Sequence, residues 1–330
     1  NVVFTNAATC ATFSTLPQTN TITTDCTVDV PKDILSQTSI VINGVQDSNG
    51  NNPKISHTQF GGHFQVKSNA KLTVTKIDIY DGKKDVDGNE QKGGAIYIEE
   101  DGHGVFNTVK FVQNKIQKSG NGDGYGAAVY IENNAIGEFK NVDFENNEIA
   151  NGNGGAVYID GTGKGYFSHC TFKSNVATDG KGGAIYVSVN AFAEIVKSNF
   201  IDNTAPNYAT SGVHIYYLPG QPLTLVESTF TTVINNNNFD NKTAVYGIVR
   251  KCSKDICGNY NLGNAGIGCT SKFPAELGIE CKTCEAGKVR VANSSKFTCS
   301  KCLKGTYSEF QIAAATCKTC AAGKYQDQIG

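Results

Sequence analysis

The sequence predicts an all-β fold: a right-handed single-stranded parallel β-helix with three strands per coil, followed by a small disulfide-rich C-terminal module. Two observations predict it. Apolar and polar positions recur at fixed offsets over much of the first 250 residues, and nine of the twelve cysteines crowd into the last 80. The expected domains are therefore 1–250, with irregular first coils over 1–60, and 251–330.

The repeat is the primary signal. Four segments align: Gly93-Gly94-Ala95-Ile96-Tyr97-Ile98, Gly126-Ala127-Ala128-Val129-Tyr130-Ile131, Gly154-Gly155-Ala156-Val157-Tyr158-Ile159 and Gly182-Gly183-Ala184-Ile185-Tyr186-Val187. Their starts lie 33, 28 and 28 residues apart. Thirteen residues after each start come Phe106, Phe139, Phe167 and Ile195. Eighteen after come Phe111, Phe144, Phe172 and Phe200, and twenty-one after come Asn114, Asn147, Asn175 and Asn203. Insertions fall after the Asn, in polar stretches such as Ser119 to Gly124. Weaker copies flank the four, at Gly61-Gly62 and Ser211-Gly212, and Ser39 to Gly44 reads as a strand and turn.

Matching offsets require like residues to stack, and a three-strand coil stacks them at about 4.8 Å per turn. Six or seven such coils make a rod of roughly 30–35 Å. A sandwich predicts no fixed offsets, and no helical period is present to support a leucine-rich solenoid. Alternation puts Ile96 and Ile98 inside, with Ala95 and Tyr97 on the other face. Tyr97, Tyr130, Tyr158 and Tyr186 should then form an external stripe. The Phe positions should form two buried stacks. Asn114, Asn147, Asn175 and Asn203 should form a structural ladder, with amides bonding from coil to coil. The leading Gly residues suit a positive-φ corner.

Composition bounds the function. Net charge is −1, and only two of the basic residues are Arg, which gives no basic face for nucleic acid. No apolar run is long enough for a membrane span. Without a leader or initiator Met, Asn1 reads as a mature start or a fragment boundary. Twelve cysteines point to disulfides in an oxidising compartment, hence to an extracellular or cell-surface location. Sequons at Asn241 and Asn293 fit a glycoprotein.

Cys10 and Cys26 would pin the first coil, and Cys170 should be a buried free thiol. In the C-terminal module a workable pairing joins Cys252 to Cys257, Cys269 to Cys281, Cys284 to Cys299 and Cys302 to Cys317, with connectivity left open. Cys281-x2-Cys284-x14-Cys299-x2-Cys302 also approaches a zinc-ribbon spacing, but cysteine pairs at an 18-residue interval favour serial disulfides. Cys320 is left over, so the chain is expected to continue beyond Gly330.

The Gly-Gly-Ala-Ile and Phe-x-x-Asn segments resemble the repeats of chlamydial polymorphic outer membrane proteins. The second motif stands here as Phe111-Val-Gln-Asn114, Phe144-Glu-Asn-Asn147, Phe172-Lys-Ser-Asn175 and Phe200-Ile-Asp-Asn203. The resemblance covers about 60 to 240 and implies a surface-exposed β-helix used in adhesion or display. Those proteins end in an outer-membrane barrel. This chain instead runs on through Cys281, Cys284, Cys299, Cys302-x2-Gly305-Thr-Tyr307, Cys317 and Cys320-x2-Gly323-Lys-Tyr325. That run is similar to the ephrin-receptor-like cysteine-rich modules of eukaryotic extracellular proteins. The combination resembles a surface or matrix protein of a protist or alga, a mastigoneme protomer being one such.

The expected function is therefore structural or adhesive and not catalytic, with other copies of the chain, other matrix or surface proteins, or glycans as partners. The alternative is a polysaccharide-binding or pectate-lyase/galacturonase-like glycan-processing β-helix. Gly102-His103-Gly104 is similar to a galacturonase tripeptide, but its companion acidic motifs and an Arg-x-Lys are missing, so a His in a Gly turn is expected. Glu99, Glu132 and Asp160 recur just after the Tyr strand and are expected in solvated turns. No cofactor is expected, beyond a weak calcium possibility at Asp85 and Asp87, where Glu90 stands in the place of a loop glycine. His57, His63, His169 and His214 show no ligand spacing.

Overall fold

A computed structural model describes residues 2–4, 18–28, 32–57, 61–86, 90–118, 123–206, 212–218, 223–226 and 228–231. Beyond these it describes only the backbone of short strands between 233 and 319. The chain divides into two compact units, Asn1–Arg250 and Lys251–Gly330.

The first unit is a parallel β-solenoid of about six regular turns. Three long sheets run along it, each built from one strand per turn. The Tyr sheet stacks Lys32–Ile34, Phe64–Val66, Ile96–Ile98, Val129–Ile131, Val157–Ile159, Ile185–Val187, Ile215–Tyr217 and Val245–Tyr246. The Gly-Phe sheet carries Lys71–Thr75, His103–Asn107, Ile136–Lys140, Lys164–Ser168 and Phe192–Val196 in its middle. The Phe-Asn sheet runs from Cys26–Val28 and Lys54–His57 through Asp78–Tyr80, Lys110–Val112, Asp143–Glu145, Thr171–Lys173 and Asn199–Ile201 to Thr229–Thr231. Register follows the repeat: Tyr97 pairs with Tyr130, Tyr130 with Tyr158, and Tyr158 with Tyr186.

The turn has more than three strands. After the Asn the chain makes an arm of two short strands, Lys83–Val86 then Gln91–Lys92 in one turn and Lys115–Lys118 then Gly124–Tyr125 in the next. The longer of the repeat spacings arises here, so inserted residues lengthen the arm and leave the core register intact. Ile116, Ile149, Ala127 and Ala177 form a small apolar cluster where the arm meets the Gly corner.

The lumen is filled as period-two alternation requires. Ile96, Ile98, Phe106, Phe111 and their counterparts are buried in one continuous core. Alternation fails at the Gly corner. Ala95, expected on the outer face, is buried in the core with Ala128, Ala156 and Ala184. The corner causes it. Gly93, Gly126, Gly154 and Gly182 have φ of 59°, 65°, 75° and 69°, so the chain swings inward before the strand begins. Gly94, Gly155 and Gly183 follow for a different reason, a close approach of the next turn, while the second repeat carries Ala127 at this position. A Cβ on Gly94 would lie 2.0 Å from the Ala127 carbonyl oxygen of the next turn.

A small-residue column that the Gly-Gly and Phe offsets do not reveal lies under the Phe rings. Gly104, Gly137, Gly165 and Ala193 stack in register. A Cβ on Gly104 would meet Ile98 Cδ1 at 2.7 Å and Phe106 Cε2 at 2.8 Å. Gly102-His103-Gly104 is thus not a Gly turn around a His. His103 opens a strand, and Gly104 makes room for the Phe106 ring.

Cys26 is buried and disulfide-bonded, and Cys10 lies outside the described residues. Cys170 is a buried free thiol whose Sγ donates to the Phe139 and Ser168 carbonyls. In the second unit, Cys252 to Lys254 pair antiparallel with Tyr260 to Leu262, which pair in turn with Gly268–Cys269. Lys288–Asn293 and Lys296–Lys301 form a hairpin. Cys257, Cys281, Cys284, Cys302, Cys317 and Asn241 lie outside the described residues, as do the side chains of Cys252, Cys269, Cys299 and Asn293. No described helix is long and apolar enough to cross a membrane.

Candidate functional site

The Tyr column is the most chemically distinctive surface of the solenoid. Its position follows from alternation: with Ile96 and Ile98 inside, Tyr97 points out. Neighbouring rings stack coil on coil, with centroids 5.4 Å apart for Tyr130–Tyr158, 4.6 Å for Tyr158–Tyr186 and 5.2 Å for Tyr186–Tyr216. The expected external stripe is nevertheless corrected. Tyr130 is 1% exposed and Tyr158 and Tyr186 are 8% exposed, so only Tyr97 shows appreciable surface. The rings lie outside the lumen but are covered from the side. The arm supplies the cover: Lys92 Nζ sits 5.0 Å from the Tyr130 centroid, Tyr125 packs edge-on against Tyr158 at 5.0 Å, and Lys181 Nζ sits 4.6 Å above Tyr216.

The acidic residues complete the column. Glu99, Glu132 and Asp160 are not simply solvated turns. Each accepts a hydrogen bond from the residue two positions earlier in register, one turn below. Gln65 Nε2 donates to Glu99, Tyr97 Oη donates to Glu132 Oε2 at 2.6 Å, and Tyr130 Oη donates to Asp160 Oδ2 at 2.6 Å. Lys67 and Lys92 add ion pairs to Glu99 and Glu132 at 2.9 and 2.8 Å. Burial pushes the Tyr97 and Tyr130 hydroxyls above the usual phenol range, and their carboxylate acceptors push them further the same way. Burial pulls Glu132 upward, but the bonds from Lys92 and Tyr97 outweigh it and hold its carboxyl below the usual range. Hydroxyls locked as donors to ionised carboxylates are poor nucleophiles, and those carboxylates are occupied acceptors.

The scheme stops partway along. The equivalent acidic position is Ser188 opposite Tyr158 and Leu218 opposite Tyr186. Tyr130→Phe should therefore cost roughly 1.5–3 kcal/mol, the range for a hydrogen bond to a charged group. Tyr186→Phe should cost less. Denaturant titration of the two variants checks the order, and equal losses would contradict the assignment.

The Asn ladder runs through the corner between the Phe-Asn sheet and the arm. Asn114 Nδ2 donates to Asn147 Oδ1, Asn147 to Asn175, and Asn175 to Asn203, at 3.0, 2.8 and 2.8 Å. Each Oδ1 also accepts the backbone N–H of the Asn one turn below, at 3.0 to 3.1 Å. All four are fully buried.

Among the described residues no group of three or more His, Cys, Asp or Glu side chains could hold a metal ion. Asp85 lies in the first arm strand of its turn, and Asp87 lies outside the described residues. His103 Nε2 lies 2.7 Å from Glu138 Oε1 on the outer face of the Gly-Phe sheet, a paired surface group. His57 and His63, far from any ligand spacing in sequence, are brought edge to face at 5.6 Å. The signal for a buried His63 was in the alignment: it stands where the four clear repeats have Ala. No protein-family model, curated protein or solved structure matches the chain.

Proposed function

We propose that this chain is an extracellular structural or adhesive protein, a rod-like segment of a surface filament or matrix. One observation carries the reading. The polar and aromatic side chains that recur from turn to turn are consumed in bonding the next turn: Tyr to carboxylate, Asn to Asn, Lys over Tyr. Such a surface is built for stiffness. The stacked turns also form a quasi-one-dimensional array, the architecture of extended display scaffolds. The right-handed coil expected for parallel crossovers, and the serial disulfides expected of the second unit, belong to the same proposal. The disulfide at Cys26 supports an oxidising environment.

Electron microscopy and sedimentation of the full chain test this reading. Elongated self-assemblies, or retention on a matrix fraction, are expected. A strictly monomeric protein that binds no matrix fraction would sink it. Incubation with polyuronides should release no unsaturated or reducing ends, and their appearance would put a glycan-processing enzyme in its place.

A further inference from the structure

Two buried histidines stand at equivalent positions on opposite sides of the repeat array. The corner alanines form one backbone-bonded column, in which His63 N donates to the Ala95 carbonyl, Ala95 to Ala128, Ala128 to Ala156, Ala156 to Ala184, and Ala184 to the His214 carbonyl. The four inner members are Ala, and both flanking members are His. His63 is wholly buried and His214 is 1% exposed. Their strands, Phe64–Val66 and Ile215–Tyr217, are each the second from an end of the Tyr sheet. His214 also terminates the Asn ladder, with Asn203 Nδ2 3.0 Å from its Nδ1. Asn203 Nδ2 can only donate, so that ring nitrogen must be an unprotonated acceptor.

We propose that these two histidines form a paired acid-sensitive latch, which holds the flanking turns onto the four-repeat array when neutral and releases them when protonated. An imidazolium at position 214 would face the Asn203 donor with a second donor. An imidazolium at position 63 would be a buried charge beside the His57 ring. Burial pulls His63 down to about 3, with the His57 ring acting in the same direction and the Tyr80 backbone weakly against it. Burial pulls His214 down to about 4, against a weak upward pull from the Asp202 carboxylate. Phe200 and Phe230, whose rings pack on His214, bring no charge, and the Ala positions stacked on each His bring none. Both histidines therefore bind protons more readily in the opened state. Their contribution is fully present above about pH 6.5 and is lost as pH falls towards the folded values. In a stacked array each turn holds mainly its neighbours, so release begins at the flanks and leaves the middle intact. The released turns would bare strand edges able to pair with another chain.

Hydrogen exchange with mass-spectrometric readout on the full, disulfide-intact chain tests the latch at pH 7.4 and pH 5.0, after correction for intrinsic rates. Protection should fall about tenfold or more, the factor set by one pKa unit of linkage, in peptides covering 64–75 and 212–218. It should hold in peptides covering 129–187. His63→Ala and His214→Ala install the residue of the middle repeats, and each should remove the acid response at its own end only. If an alanine variant does not fold, His63→Gln and His214→Asn replace it, since neither side chain titrates. Loss spread evenly over all turns, no loss at either flank, or a response that survives substitution of both histidines overturns the proposal.

Discussion

Phe144→Ala should destabilise the solenoid by roughly 3–5 kcal/mol, the usual cost of deleting a buried Phe ring. Phe144 has no exposed surface. Its ring lies between Phe111 and Phe172 in one stack, with centroids 5.1 and 4.7 Å away and planes within 10° and 2° of parallel. It also meets Phe139 and Phe167 of the adjoining stack edge-on, at 5.5 and 6.4 Å. Truncation would therefore leave a void lined by four rings that are themselves fixed by their own neighbours. Little collapse is open to them, which places the cost in the upper half of that range. Lys173→Ala, on the exposed side of the same sheet, should stay within about 0.5 kcal/mol of the parent. Denaturant titration followed by circular dichroism separates the two. A Phe144→Ala protein as stable as its parent would remove this ring from the core.

The second large effect is expected from Asn147→Ala. The Asn147 side chain donates to the Phe111 carbonyl at 3.0 Å and to Asn175 Oδ1 at 2.8 Å, and its Oδ1 accepts from Asn114 N and Asn114 Nδ2. Removal leaves the Asn114 N–H and the Phe111 carbonyl without these partners in a dry corner. Each such buried group costs about 1–3 kcal/mol, so a total of roughly 2–6 kcal/mol is expected for one small side chain. Asn147→Asp should also be destabilising, because a carboxylate cannot donate to Phe111 or to Asn175 and would be a buried charge. The expected outcome is loss of hydrogen-exchange protection at Asn114 and Glu148 in both variants. Unchanged protection would mean that the ladder is not needed to hold these turns.

The repeat made the solenoid legible because side-chain stacking demands equal offsets. Phe106, Phe111 and Asn114 could be placed from one alignment, and register in all three sheets follows it. What alternation alone could not show was cover. It puts Tyr130 outside the lumen, but the burial of that ring depends on Tyr125 and Lys92, which reach it from the arm, where the sequence shows only inserted polar residues. Glu132 and Asp160 looked like turn residues because their partners sit one turn away, a distance no local pattern encodes. Ala95 broke alternation because the preceding positive-φ Gly redirects the chain. The exchange of Ala for His at position 63 is visible in the alignment, whereas a repeat starting at Ser211 puts Val213 at that position; the structure moves the corner one residue on, to Gly212 with φ of 59°, and so places His214 there. The meaning of the two histidines needed the column that joins them through space.

The central claim is that like positions stack at the spacing of neighbouring strands, and a distance between two labels tests it directly. Lys54 and Thr229 are exposed, and they stand at the same register position of the Phe-Asn sheet, linked through Asp78, Lys110, Asp143, Thr171 and Asn199. Six steps of about 4.8 Å give a backbone separation of about 29 Å across a long stretch of sequence. Azide-bearing residues at these two sites, carrying spin labels so that the cysteines stay untouched, allow a double electron–electron resonance measurement. A single narrow distribution near 29 Å, within the reach of the label linkers, is predicted. A broad distribution, or a maximum beyond about 45 Å on the same strand-spacing scale, would contradict the stacked solenoid.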